Sequence, residues 1–363
     1  MNSRLLIPAL VLALVSLDRP AFSAVAAPGT VVTEHLDSAA LRDNRIGLDP
    51  RRSISIYLPP GYATSRAAYP VVYFLHSFFG SDRQFLAESH AQVIFDHAIA
   101  AGVIPPLIVV IPDYSSTNAG GFFANSPTSG RWLDYTVGEL VPFIDAHYRT
   151  RRDRASRGVA GEFIGAYGAL KLAMYYPQVF GAVYALHPVG TGTGMGIMAD
   201  KADWSHIQQA QAWADLKGDG VGQIFLSMAQ AFLPDPARPP FYCDLLKDPA
   251  AGGMQPNREN IRRLEGRFLL DHLVQGHPEL AANLRTLRGL KLDWGRYDAN
   301  PDHVYANQAF TRDLDELGIS HEAEEYGGNG WDHNWIPHGR VADDLLPFFA
   351  RTLVFQEAAG AAP

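Results

Sequence analysis

Short apolar runs bounded by turn residues alternate along this chain with longer segments of helical periodicity. The runs expected as strands are 53–58, 71–76, 107–113, 157–161, 182–187, 291–295 and 321–326. The periodic segments expected as helices are 91–101, 132–148, 165–176, 304–317 and 340–353, and the pairs Pro59-Pro60 and Pro105-Pro106 mark turns between elements. Strands buried on both faces read as continuous apolar runs, and parallel pairing needs helical crossovers. The pattern therefore predicts an α/β fold with a mostly parallel central sheet flanked by helices. From about 190 to 287 the alternation lapses, and Pro234, Pro236, Pro239 and Pro240 interrupt the chain. This segment is expected as a long, lid-like insertion between the sixth and seventh strands. There it would cover the carboxyl ends of the strands, where open α/β sheets bind ligands; an ordinary surface excursion is the plainer alternative.

The densest chemical signal is Gly161-Glu162-Phe163-Ile164-Gly165, placed between an expected strand and an expected helix. Flanking glycines at this spacing permit the tight strand-to-helix turn that lifts a nucleophilic serine above the sheet in G-x-S-x-G hydrolases. Here Phe163 holds the serine position, and a phenyl ring cannot attack a carbonyl. The frame predicts a hydrolase, and its central residue contradicts serine catalysis.

The first 26 residues have the pattern of a secretory signal. Arg4 supplies a positive start, an apolar stretch runs from Leu5 to Leu17, and Ala24-Val25-Ala26 is a small-x-small cleavage site. The expected mature domain is 27–363, secreted or periplasmic, with no membrane attachment after cleavage. The 363 residues carry a formal charge of −8, which becomes −9 without Arg4, Asp18 and Arg19 and argues against nucleic acid as a partner. Cys243 is the chain's one cysteine, so no internal disulfide forms, and it is expected as a packed thiol. No ligand spacing calls for a metal and no glycine-rich phosphate loop is present, so no cofactor is expected.

Four segments in order carry a family resemblance: VVYFLHSFFG, FFANSPTSGRWLDYTVGELVPFIDAHYRT, RGVAGEFIGAYGALKLAMYYPQVFGAVYAL and PDPARPPFYCD. From about residue 50 to 350 the chain resembles the esterase family of α/β-hydrolases that includes feruloyl and acetyl-xylan esterases, S-formylglutathione hydrolases and mycolyl transferases. The resemblance implies an acid at Asp298, within LDWGRYDANPDHVYANQAF, and a histidine at His333, within WDHNWIPHGRVADDLLPFF and two residues before Trp335; His338 is the runner-up. It also implies oxyanion or substrate contacts at Ser77, Phe78, Ile164 and Trp335. Ser77, Ala166 and Asp332 replace glycines of the family pattern. Glu162 and His187 are two further ionisable groups at the expected site, with structural pairing as their plain alternative.

The function implied is that of a secreted esterase-like protein acting on or binding a carboxylic ester, or an acyl or aromatic small molecule, with a His–Asp pair and no elbow serine. His333 would act on water directly, or Ser77, Ser126 or Ser129 would replace the missing nucleophile if within reach of it. A non-catalytic binding protein is one alternative, and a lyase or isomerase using His333, His187 or Glu162 is another.

Overall fold

The computed structural model describes residues 27–356, apart from 89, 117–118, 193–199 and 332. The expected signal segment and Asp332 lie outside the described residues. Eight strands form the central sheet: β1 (Thr30–Asp37), β2 (Arg51–Leu58), β3 (Val71–Leu75), β4 (Ile108–Pro112), β5 (Arg157–Glu162), β6 (Ala182–Leu186), β7 (Gly289–Gly295) and β8 (Glu322–Tyr326). Their order across the sheet is β1-β2-β4-β3-β5-β6-β7-β8. Strand β2 runs antiparallel to both β1 and β4, and the remaining pairs are parallel.

Successive residues of a strand face opposite sides of the sheet, so each central strand feeds two cores. Val71, Tyr73 and Leu75 of β3 join the core beneath the helices Ile164–Tyr175 and Pro301–Glu316. Val72 and Phe74 join the opposite core, beneath Ala91–Ala100 and Leu346–Thr352. This two-sided burial explains why β3, β4 and β6 show as unbroken apolar runs. Strand β1 was not expected. It is an edge strand whose exposed positions are polar, and it is held by full antiparallel register with β2, from Thr30 opposite Leu58 to Asp37 opposite Arg51.

The segment between β6 and β7 folds into five described helices: Trp204–Gln209, Gly220–Phe232, Arg258–Phe268, Leu270–Gly276 and Pro278–Arg285. Three begin at acceptor side chains. Asp203 accepts the His206 N–H, Asp219 the Gly222 N–H, and Asn257 the Asn260 N–H. Backbone bonds from Leu270 to Gly190 and from Asp271 to Thr191 anchor this layer next to the end of β6. Among the described residues no helix is long and apolar enough to cross a membrane.

Candidate active site

Phe163 sits alone between the end of β5 at Glu162 and the helix that opens at Ile164. Its backbone has φ 50° and ψ −111°, a conformation disfavoured for a side chain of this size. The surroundings hold it there. Its N–H donates to the Leu186 carbonyl at 3.1 Å, and its carbonyl accepts the Tyr167 N–H at 3.0 Å. The flanking glycines let helix and sheet meet: a Cβ on Gly165 would stand 2.1 Å from the Leu75 carbonyl oxygen, and one on Gly161 would stand 2.4 Å from the Gly165 carbonyl carbon. The Phe163 ring is 1% exposed. It stacks on Trp331 with ring centres 3.2 Å apart and planes 13° from parallel, and its centre is 4.9 Å from that of His187. The turn keeps its shape, but an aromatic stack occupies the place of the hydroxyl.

The acid loop is built from the ends of β6 and β7. His187 lies just past β6, fully buried, with φ 47°. Its Nδ1 accepts the Gly295 N–H at 2.9 Å, so in the neutral ring the proton is on Nε2, which donates to Asp298 Oδ2 at 2.6 Å. The same oxygen takes a second imidazole, Nδ1 of His303, at 2.8 Å, while Asp298 Oδ1 accepts the Asn300 N–H. Burial alone would raise the Asp298 pKa. The hydrogen bonds from His187, His303 and Asn300 outweigh it and hold the carboxyl well below the ordinary range. His187, Asp298 and His303 are close enough to suggest metal ligands. The Gly295 N–H decides otherwise, because it places the His187 proton on the nitrogen that a metal would need.

Two cavities open along this crevice and share Phe78 as a wall. The larger, about 330 Å³, is lined by Ser77, Glu162, Phe85, Trp331, Trp335 and Ile336 among others. Glu162 is buried and its Oε2 accepts from Asn334 Nδ2 and Trp335 Nε1 at 3.1 and 3.2 Å. Desolvation raises its pKa, partly offset by these two donors. Ser77 Oγ is buried with no hydrogen bond among the described residues. The smaller cavity, about 50 Å³, is apolar and lies against His303, Phe268 and the Ile224, Phe225 and Met228 side chains of the insertion.

Residues 47–219 match the sequence profile of the family described as "Putative esterase". Over that stretch the chain is similar to the esterase family. An esterase of Mycobacterium tuberculosis is 29% identical over 170 residues, 46% of this chain and 34% of that one. The endo-1,4-beta-xylanase/feruloyl esterase of Xylanibacter ruminicola is 30% identical over 135 residues, 36% of this chain and 18% of that one. The match thus spans about a third of the length of the first relative and less than a fifth of the second. A ferulic acid esterase structure superposes with TM-score 0.61 at 18% identity, covering 90% of this chain and 99% of that one. The S-formylglutathione hydrolase from Agrobacterium tumefaciens gives 0.55 at 16% identity, covering 90% and 96%. These structures establish the α/β-hydrolase fold.

Against the esterase family's pattern, the expected pairing of Asp298 with His333 is not what the structure holds. His333 is exposed and makes no hydrogen bond with a carboxylate among the described residues, while Asp298 is taken by His187 and His303. The reason is geometric: His303 stands in the first turn of the helix that follows Asp298, five residues on, and reaches the carboxylate without a long loop. His303 was the residue that sequence reasoning missed, although the Asp298–His303 spacing next to an expected helix start was a usable signal. His338 is also exposed, 3.6 Å from Asp343. Ser126 donates to the Gln230 carbonyl, and Ser129 is buried outside both crevice cavities. Ser77, Phe78, Glu162 and Trp335 do gather at the larger cavity, and Ile164 opens the elbow helix, where the first amide N–H groups have no partner within the helix. Burial pushes the Cys243 thiol up, which disfavours the thiolate a nucleophile would need.

Proposed function

We propose that this protein is an exported member of its family that takes a carboxylic ester, or an acyl or aromatic small molecule, into the crevice above β3, β5 and β6 without forming an acyl-enzyme at residue 163. The observation that carries this reading is the Phe163–Trp331 stack, in which a buried ring holds the nucleophile's backbone position. The 330 Å³ cavity beside it suits a flat ligand. Phe85, Trp331 and Trp335 offer apolar and stacking faces, and the unpaired Ser77 hydroxyl and the Glu162 carboxyl offer polar contacts. Export rests on the pattern of residues 1–26.

The test is direct. The purified mature protein is incubated with a fluorophosphonate probe and, separately, titrated with p-nitrophenyl acetate and butyrate and with 4-nitroacetanilide as a slowly reacting isostere. The expected result is saturable binding of the isostere with no covalent label. Phe163→Ser also stays unlabelled, because both ring nitrogens of neighbouring His187 are already committed. Labelling of the natural protein would show that another residue attacks, and absence of isostere binding would remove the ligand claim.

A further inference from the structure

We propose that His303, oriented by Asp298, is the general base of this crevice and activates water against a short-chain carboxylic ester whose acyl group fills the small apolar cavity beside it. This rests on the reading above that the crevice accepts an ester.

The proton positions single out His303. An ionised Asp298 can only accept, so His303 Nδ1 must carry its proton toward Oδ2, and the neutral ring's lone pair is left on Nε2. That nitrogen has no hydrogen-bond partner among the described residues. His187 shares the carboxylate but has no nitrogen to spare, since Nδ1 accepts from Gly295 and Nε2 donates to Asp298. His333 has no carboxylate to set its tautomer. Of the three histidines considered for the base, only His303 combines an orienting carboxylate with a free acceptor nitrogen.

Its surroundings fit the task. The cavity it lines is walled by Phe78 from the loop after β3, by Ile224, Phe225 and Met228 from the insertion, and by Phe268. A volume of about 50 Å³ exceeds the roughly 10–15 Å³ needed to seat one water, which leaves room for a two- to four-carbon acyl group. Phe78 also borders the larger cavity, so an ester can place its acyl part on one side of that ring and its alcohol part on the other.

The step balances without a co-reactant. Water oxygen bonds to the ester carbonyl carbon, its proton passes to His303 Nε2, and the carbonyl electron pair moves to oxygen. Collapse of that adduct breaks the bond to the alcohol oxygen, which takes the proton back from His303 and leaves as alcohol. Acid and alcohol are the products, and no bond to the protein forms at any stage.

The experiment compares kcat and KM for p-nitrophenyl acetate and butyrate in the natural protein, His303→Ala, His303→Gln and His333→Ala, each checked for folding by thermal melting. His303→Gln keeps an N–H for Asp298 and guards against a loss caused by misfolding. General-base steps supply about 10²–10⁴-fold, so both His303 variants should lose kcat by that factor, with KM and isostere affinity within a few-fold. The natural enzyme should show a solvent deuterium isotope effect on kcat that vanishes in His303→Ala, and His333→Ala should retain its turnover. Loss in His333→Ala with activity kept in the His303 variants overturns the inference. Isostere binding with no turnover of either ester also overturns it and leaves the ligand reading standing, whereas no isostere binding and no turnover removes both.

Discussion

Asp298 and Glu162 are two carboxyl groups near the crevice, and their environments drive them in opposite directions. Asp298 receives three hydrogen bonds, two from imidazoles, and ionises more readily than a free carboxyl. Glu162 is buried and, among the described residues, meets the Asn334 amide and the Trp335 indole on one oxygen with no cation bonded to it, and it holds its proton more tightly. Paired groups whose affinities for protons are pushed apart are how one crevice presents a base at one end and an acid at the other. On the elbow side a strand-to-helix turn presents an aromatic ring, and on the acid side a carboxylate is held by two imidazoles, so each side can be disturbed alone.

The largest effect should come from the scaffold. Gly165→Ala puts a methyl carbon 2.1 Å from the Leu75 carbonyl oxygen, where the sheet backbone cannot withdraw. It should cost about 3 kcal/mol or more, read as a lowered urea midpoint or failure to fold. Gly266→Ala, on an exposed helix position with open space around it, should gain about 0.5–1 kcal/mol in the same assay. A tolerated Gly165→Ala would mean that close packing is not what requires a glycine at this position. The next effect belongs to the acid side. Asp298→Asn leaves His187 and His303 with a poorer acceptor and should cost about 2 kcal/mol at pH 7. The folded carboxyl titrates below its ordinary value of 3.8. Its contribution is therefore present above that value and lost as pH falls beneath it. The gap between the urea midpoints of the two proteins should be full at pH 7 and should narrow only as pH falls below 3.8 toward the folded value well beneath it; a gap already closed above 3.8 would show that the charge of Asp298 is not what the histidines need.

Much of this was legible in the chain because it follows from local rules. Strands buried on both faces announce themselves as apolar runs, and the elbow announces itself by glycines that no side chain can replace. Strand β1 escaped because an edge strand with one polar face has little apolar signal and gains its stability from pairing with β2. The helices of the insertion escaped because its prolines drew attention to one loop, whereas Asp203, Asp219 and Asn257 start helices on either side of it. At the site, the sequence located the carboxylate at Asp298 but not its partners. Which histidine reaches a given carboxylate depends on where a helix begins and which way two loops turn, and spacing to Trp335 carries no information on either.

The smallest effect at the crevice, and the sharpest test of the contrast, is Glu162→Gln. A glutamine amide can offer its oxygen to Asn334 and Trp335 and its NH₂ to the cavity, much as the protonated acid would offer its O–H. The folded Glu162 titrates above its ordinary value of 4.5, so its contribution to stability is full below that value and is lost as pH rises through the folded one. Near pH 4 the variant should match the natural protein. By pH 8, where the natural carboxyl must either ionise in a buried site or keep its proton against the solvent, the variant should be the more stable by about 1 kcal/mol. Asp298→Asn loses its penalty in acid, and Glu162→Gln gains its advantage in base. If Glu162→Gln were instead the weaker protein at pH 8, the folded state would be favouring the charged carboxylate there, and the two ends of the crevice would not be poised as acid and base at all.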